Sequence, residues 1–282
     1  MTNPIKNPLS QYFRKPGVHI KLPTNGAFMP KDSVDFTMKG EVPVFPMRSA
    51  DELLLKSADA LMNGYAMEKL LESCVPAIEF PRLISSPDID ALMLAIRAAT
   101  YGEIIDLSVE CPSCKETNEV KRNLSYLIST MTFVDPENPV RLTDEIILYV
   151  KPYNMANAVA LGIMSFEETR ALQAVEMASQ EDRSTQMNSS MQRLADLTTS
   201  IMADCVIKVV VPNDEVSDKE MILQFVQNVS KEWTDRIQAK LDEINKKGIE
   251  KGFDITCASC GHEWKSLIEF DPTTFFDSSS SL

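Results

Sequence analysis

Apolar positions recur along this chain with two periods, one of helices and one of strands, and the changes of period divide it into segments. Residues 1–47 carry seven prolines and three glycines, and no helical period survives among them. The stretch holding Tyr12, Phe13, Val18, Ile20 and Leu22 beside Arg14, Lys15 and Lys21 is too apolar for a solvated linker. It reads as an extended arm docked on its own domain or on a partner. Order begins at Ser49. Ser49 and Glu52 have capping-box spacing ahead of Leu53, Leu54, Leu55, Ala58, Leu61 and Met62, which predicts a helix stopped by Gly64. Met67, Leu70, Leu71 and Cys74 predict a second helix, ended by Pro76. Ser86 as N-cap, Pro87, Asp88 and then Ile89, Leu92, Met93, Ile96 and Ala99 predict a third, closed by Gly102.

The period then becomes two. Ile105, Leu107 and Val109 alternate on one side of a short polar tip, and Glu119-Val120-Lys121 leads away from it to Leu124. Near the far end of the chain the layout repeats, with Phe253 and Ile255 before a tip and Glu263-Trp264-Lys265 after it, leading to Leu267 and Phe270. Between the two hairpins, residues 124–133 are ambiguous, 136–139 read as loop, and 144–153 read as a strand around Ile146–Val150. A helical middle starts near Met155. Ser165 and Glu168 predict a new helix start running through Met177, residues 179–190 read as a polar turn or bulge, and Met191, Leu194, Leu197, Ile201 and Met202 mark another helix. Residues 206–211 are a strand or the buried end of that helix. Ser217 and Glu220 open the longest helical signal, Ile222, Phe225, Val226, Val229, Trp233, Ile237, Leu241 and Ile244, which stops at Lys246-Lys247-Gly248. Residues 278–282 are a plain polar tail.

Chemistry concentrates at the hairpin tips. Cys111-Pro112-Ser113-Cys114 and Cys257-Ala258-Ser259-Cys260 are two Cys-x-x-Cys pairs, separated by 142 residues, and together they supply the four thiolates of a structural zinc site. In such a knuckle, backbone N–H groups of the tight turn point at the sulfurs. The residue after the second cysteine often needs a positive φ, which Gly261 provides and Lys115 does not obviously provide. Redox use of the pairs requires a helix N-terminus to stabilise a thiolate, yet strands follow both. No signal peptide opens the chain, so a reducing compartment is expected and disulfides are disfavoured. Four thiolates close the metal shell, leaving no position for water or substrate. His262, beside Cys260, reads as a locally hydrogen-bonded side chain rather than a substitute ligand, and His19 lies in the arm. With two histidines in all, imidazole acid–base catalysis is poorly provided for. Cys74 and Cys205 stand alone in apolar helical runs and are expected to be buried bystanders.

Composition narrows the partners. In 282 residues, 28 Lys and Arg oppose 41 Asp and Glu for a formal charge of −13, which argues against coating nucleic acid and points to protein partners. A nucleic-acid-binding zinc ribbon is the alternative. No stretch is long and apolar enough to span a bilayer. Fifteen Met and nine Gly suit a helix-rich chain with adaptable apolar faces.

The predicted fold is α+β, mainly α, with helical domains joined by a small four-cysteine zinc-ribbon sheet in which the two hairpins pair. Its segments are an extended arm (1–47), a helical unit with the first zinc hairpin (48–124), a mostly helical insertion (125–250), and the second zinc hairpin with the tail (251–282).

One further signal is a likeness. The run Phe45-Pro46-Met47-Arg48-Ser49-Ala50-Asp51-Glu52-Leu53-Leu54-Leu55-Lys56, then Ala60-Leu61-Met62-Asn63-Gly64, Ser73-Cys74-Val75-Pro76 and Ala95-Ile96-Arg97-Ala98-Ala99-Thr100-Tyr101-Gly102, resembles the T-even phage baseplate protein family. That family includes baseplate hub assembly proteins of contractile-tailed phages. The likeness covers residues 42–125 well and the rest loosely, chiefly through Asp271-Pro272-Thr273-Thr274-Phe275-Phe276, while 155–247 look divergent. It implies a non-enzymatic virion-assembly role, as a hub component or hub assembly chaperone, binding baseplate, hub or tail proteins. It also implies a place in the virion tail baseplate, and in the host cytoplasm during assembly. No catalytic residue carries over. Most of the matching residues are helix caps and stops; Arg97, inside an apolar helix, is internally paired, exposed, or a partner for a carboxylate across an interface.

Overall fold

The computed structural model describes residues 7–174, 180–268 and 272–276. Met177, Ser179, Phe270, Asp271 and the tail 278–282 lie outside them. The arm is folded against its own domain. After a 3-10 turn at Pro8–Tyr12, β1 (Val18–Ile20) pairs antiparallel with β2 (Val42–Val44), with Ile20 opposite Val42. Ile20, Leu22, Val42 and Val44 are all buried. Arg14 fastens the arm by donating from Nη1 to the Pro46 carbonyl at 2.6 Å and from Nη2 to the Ser73 carbonyl at 2.5 Å.

The helix expected from Ser49 to Met62 is two helices, α1 (Ser49–Leu55) and α2 (Ala58–Met62). The break falls at Ser57, whose hydroxyl accepts the Ala60 N–H and so starts a new helix. The first cap also moves by one residue, since Asp51 rather than Glu52 reaches back, taking the Arg48 N–H at 2.8 Å. Gly64, at φ +74°, turns the chain into α3 (Tyr65–Cys74). Only glycine suits the place, because a Cβ there would lie 2.4 Å from Val159 Cγ2. Next comes α4 (Ser86–Tyr101), with Ser85 at the N-cap position. Ala91 through Ile96 are buried without interruption, so this helix is apolar on every side and forms the axis of the first core. Arg97, also buried, is paired within the chain: its Nη1 donates to the Phe275 carbonyl, and its guanidinium lies 5.4 Å from both the Tyr101 and the Phe275 rings.

The first hairpin is β3 (Ile104–Glu110) with β4 (Thr117–Asn123), and α5 (Leu124–Ser129) follows it, capped by the Asn123 side chain. The chain then passes a narrow neck. Thr132 and Gly248 exchange both backbone hydrogen bonds, at 2.8 and 3.0 Å, and most of the buried apolar residues between them form a second core, while Met155 and Val159 pack on the first.

That core rests on an antiparallel sheet in the order β5 (Pro139–Arg141), β6 (Ile147–Val150), β7 (Val206–Val211) and β8 (Asp214–Val216). Residues 206–211 are therefore strand. Between β6 and β7 run two long helices, α6 (Met155–Ala174) and α7 (Gln180–Cys205). Ser165 opens no helix; it lies inside α6. Glu168, expected at a cap, instead takes Arg193 Nε and Nη2 at 2.6 Å each and ties the two helices together. The polar residues 180–190, expected as a turn, are helical because α7 packs along α6. The longest apolar period, from Ile222 to Ile244, is in fact two helices, α8 (Lys219–Asn228) and α9 (Lys231–Asn245), broken at Val229-Ser230, and the longest helix is α7. Asp218 rather than Ser217 caps α8, accepting the Glu220 and Met221 N–H groups.

The second hairpin, β9 (Gly252–Thr256) and β10 (Glu263–Leu267), returns to the first core and is followed by α10 (Pro272–Phe275), where Phe275 and Phe276 are buried. The hairpins do not pair into one sheet. Each stays a separate two-stranded ribbon, because they meet through their tips and side chains and not along a strand edge.

Candidate metal centre

Each tip is the same backbone device. In the first, the Cys111 N–H donates to the Glu116 carbonyl at 2.9 Å and the Lys115 N–H to the Cys111 carbonyl at 3.0 Å. In the second, the Cys257 N–H donates to the His262 carbonyl at 2.8 Å and the Gly261 N–H to the Cys257 carbonyl at 3.0 Å. Lys115 takes the left-handed conformation at φ +65°, beside φ +71° for Gly261. The lysine that looked like a departure thus adopts the glycine's backbone, at a cost of about 1 kcal/mol.

Four sulfurs converge between the tips. Cys111, Cys114, Cys257 and Cys260 place their Sγ atoms within 4.8 Å of one another, with Cys111 to Cys260 at 3.8 Å and Cys114 to Cys257 at 3.6 Å. A tetrahedron of thiolates at zinc–sulfur bonds of about 2.3 Å has edges of about 3.8 Å, so the donor set is compatible with a four-thiolate metal site. A disulfide needs about 2.05 Å, and the cysteines are unbridged. No helix begins at either pair, since β4 and β10 follow them. Cys111 and Cys257 are buried, while Cys114 and Cys260 face solvent.

Electrostatics separates the sulfurs. Cys257 is held down at about 6 by the Cys260 backbone N–H first, with the Ser259 N–H and the Asn118 amide adding to it against the cost of burial. The Glu116 backbone N–H favours ionisation of Cys114, yet the sulfurs of Cys260, Cys257 and Cys111 crowd it and leave it raised to about 12. Four sulfurs so close cannot all be thiolates without a cation among them.

Sequence reading missed Asn118. This β4 side chain reaches across to the second tip, where its Oδ1 accepts the Ala258 N–H at 3.0 Å and its Nδ2 lies 3.6 Å from Cys257 Sγ. Its place four residues after Cys114 was the available signal. Nearby, Arg122 lies over the Phe253 ring at 4.3 Å, a second side-chain link between the hairpins. His262 stacks on Trp264 at 6.0 Å, and His19 sits on β1 opposite Pro43, far in sequence from the cysteines. Cys74 and Cys205 are buried away from the cluster, with burial raising their thiols to about 11 and about 12.

Fold and site together define an acidic α+β protein whose two hairpins, distant in sequence, meet at a four-cysteine cluster. No helix among the described residues is long and apolar enough to cross a membrane. The profile of the family described as T4 bacteriophage base plate protein matches residues 19–277, and the chain belongs to that family. The match spans the helical middle, residues 155–247, where the likeness is loose. No curated protein and no solved structure matches.

Proposed function

We propose that this baseplate-family protein is a structural or assembly protein of a contractile tail, a hub component or the chaperone that builds the hub. It acts without catalysis. Its partners are other baseplate, hub or tail proteins rather than nucleic acid, membrane or a small-molecule substrate. It works in the virion tail baseplate after assembly in the host cytoplasm. The observation that carries this reading is the family match from the arm through the second hairpin. In this reading Cys111, Cys114, Cys257 and Cys260 form a zinc ribbon holding a structural ion, which fixes the geometry between the N-terminal helical unit and an inserted unit of about residues 125–250. The exposed apolar side chains of the arm support a protein partner, with Tyr12 at 78% and Phe13 at 60% exposure beside Leu9 on the 3-10 turn.

Co-expression with tail and hub proteins tests the reading. The expected result is co-purification with at least one of them, and mass spectrometry of purified particles separates a resident component from a chaperone that leaves. Absence from virions, from assembly intermediates and from every co-purified complex overturns it.

A further inference from the structure

Asn118 is polar, only 8% exposed, and placed at the meeting of the two hairpins. All its polar capacity is directed. Nδ2 donates to the Glu116 carbonyl at 3.1 Å and faces Cys257 Sγ at 3.6 Å, while Oδ1 accepts the Ala258 N–H at 3.0 Å. The orientation of the amide is fixed by chemistry, because the Ala258 N–H can only meet an acceptor, which turns the NH₂ end toward the sulfur. The bridge runs one way. The residue four after Cys260 is Trp264, which lies against His262 instead of reaching back to the first tip.

We infer that Asn118 is a positioning residue for the metal: from the first hairpin it orients Cys257 of the second by an N–H···S hydrogen bond and holds the second tip in place through Ala258. The inference rests on the zinc reading and extends it. Donors to metal-bound sulfur disperse the charge that four thiolates pile on one ion, and groups behind the ligands typically change metal affinity by about 10- to 100-fold.

The full chain and its N118A and N118D variants, with C257S as a ligand-loss control, are titrated with zinc against a competing chelator and with cobalt. The N118D side chain would keep the acceptor for the Ala258 N–H but set a carboxylate against the thiolate. The expected result is affinity lowered about tenfold in N118A and further in N118D, with the sulfur-to-cobalt absorption of N118A moved to lower energy. Affinity and absorption unchanged in both variants overturn the inference alone. So does wild-type affinity in N118D beside a loss in N118A, which would reduce Asn118 to a backbone cap. Should N118A not fold, the comparison of N118D with wild type decides. A wild-type chain that takes up neither metal overturns the zinc reading, and the inference with it.

Discussion

The Asp88 carboxylate, on the first turn of α4, takes both hydrogen bonds that Thr24 of the arm can give, from its N–H at 2.8 Å and its Oγ1 at 2.5 Å. Both residues are buried. Burial pushes the Asp88 carboxyl up from 3.8 to about 6, against the pull of the two Thr24 bonds. Because the folded chain holds this proton more tightly than the unfolded chain, its contribution is most favourable below about pH 4 and is lost as pH rises through 6. The size is on the order of 3 kcal/mol. Denaturant titrations from pH 4 to 7 should show that slope in the wild type and a flatter one in Asp88→Asn. Asp90, also raised by burial and paired with Lys251 at 2.6 Å, is common to both chains and cancels in the comparison.

Zinc removal should separate hairpins from helices. Apart from Ile105, Leu107 and Ile255 the two ribbons bury few apolar side chains, so chelation is expected to lower the melting temperature and weaken hydrogen-exchange protection at the hairpin tips while much helical circular dichroism remains. Cys257→Ser should lower zinc content and thermal stability together. Cys205→Ala should keep the metal and lose about 1 kcal/mol for a small gap in the second core, as read by metal analysis and chemical denaturation.

Gly64→Ala should be among the most damaging small substitutions. It adds a left-handed backbone penalty to a Cβ pressed on Val159 of α6, for a loss of roughly 3 kcal/mol in chemical denaturation. Val159→Ala in the same chain should recover the steric part and leave the backbone part.

The two knuckles should respond unequally to exchange. Nothing lies within 4 Å of a Cβ at Gly261, so Gly261→Ala isolates the backbone cost, about 1 kcal/mol of zinc-loaded stability. Lys115→Gly relieves that cost but frees the unfolded chain, and should leave the melting point nearly unchanged.

What could be read from the sequence was local. The cysteine pairs announced themselves because two residues of spacing is what one tight turn imposes, and the apolar spacing of α4 showed a helix. What escaped were relations between distant segments. Residues 180–190 look like a loop alone and become helix when α6 lies beside them and Glu168 meets Arg193. The break at Val229-Ser230 was hidden because the apolar spacing carries across it, so that both α8 and α9 face one core. Asn118 reads as one more polar strand residue until the second tip, 140 residues away, is set against it. The expected single sheet failed for the same reason, since alternation shows that a strand exists and not which edge it joins.

The neck at Thr132 and Gly248 bears on how such a chain can change over generations. A segment whose two ends are hydrogen-bonded to each other can gain or lose helical turns without moving the residues outside it. In the part of the second core away from Asn154, Met155 and Val159, which meet the first core, drift is therefore insulated from the register of the cysteine hairpins, and lineages are free to remodel it while holding the hairpins still.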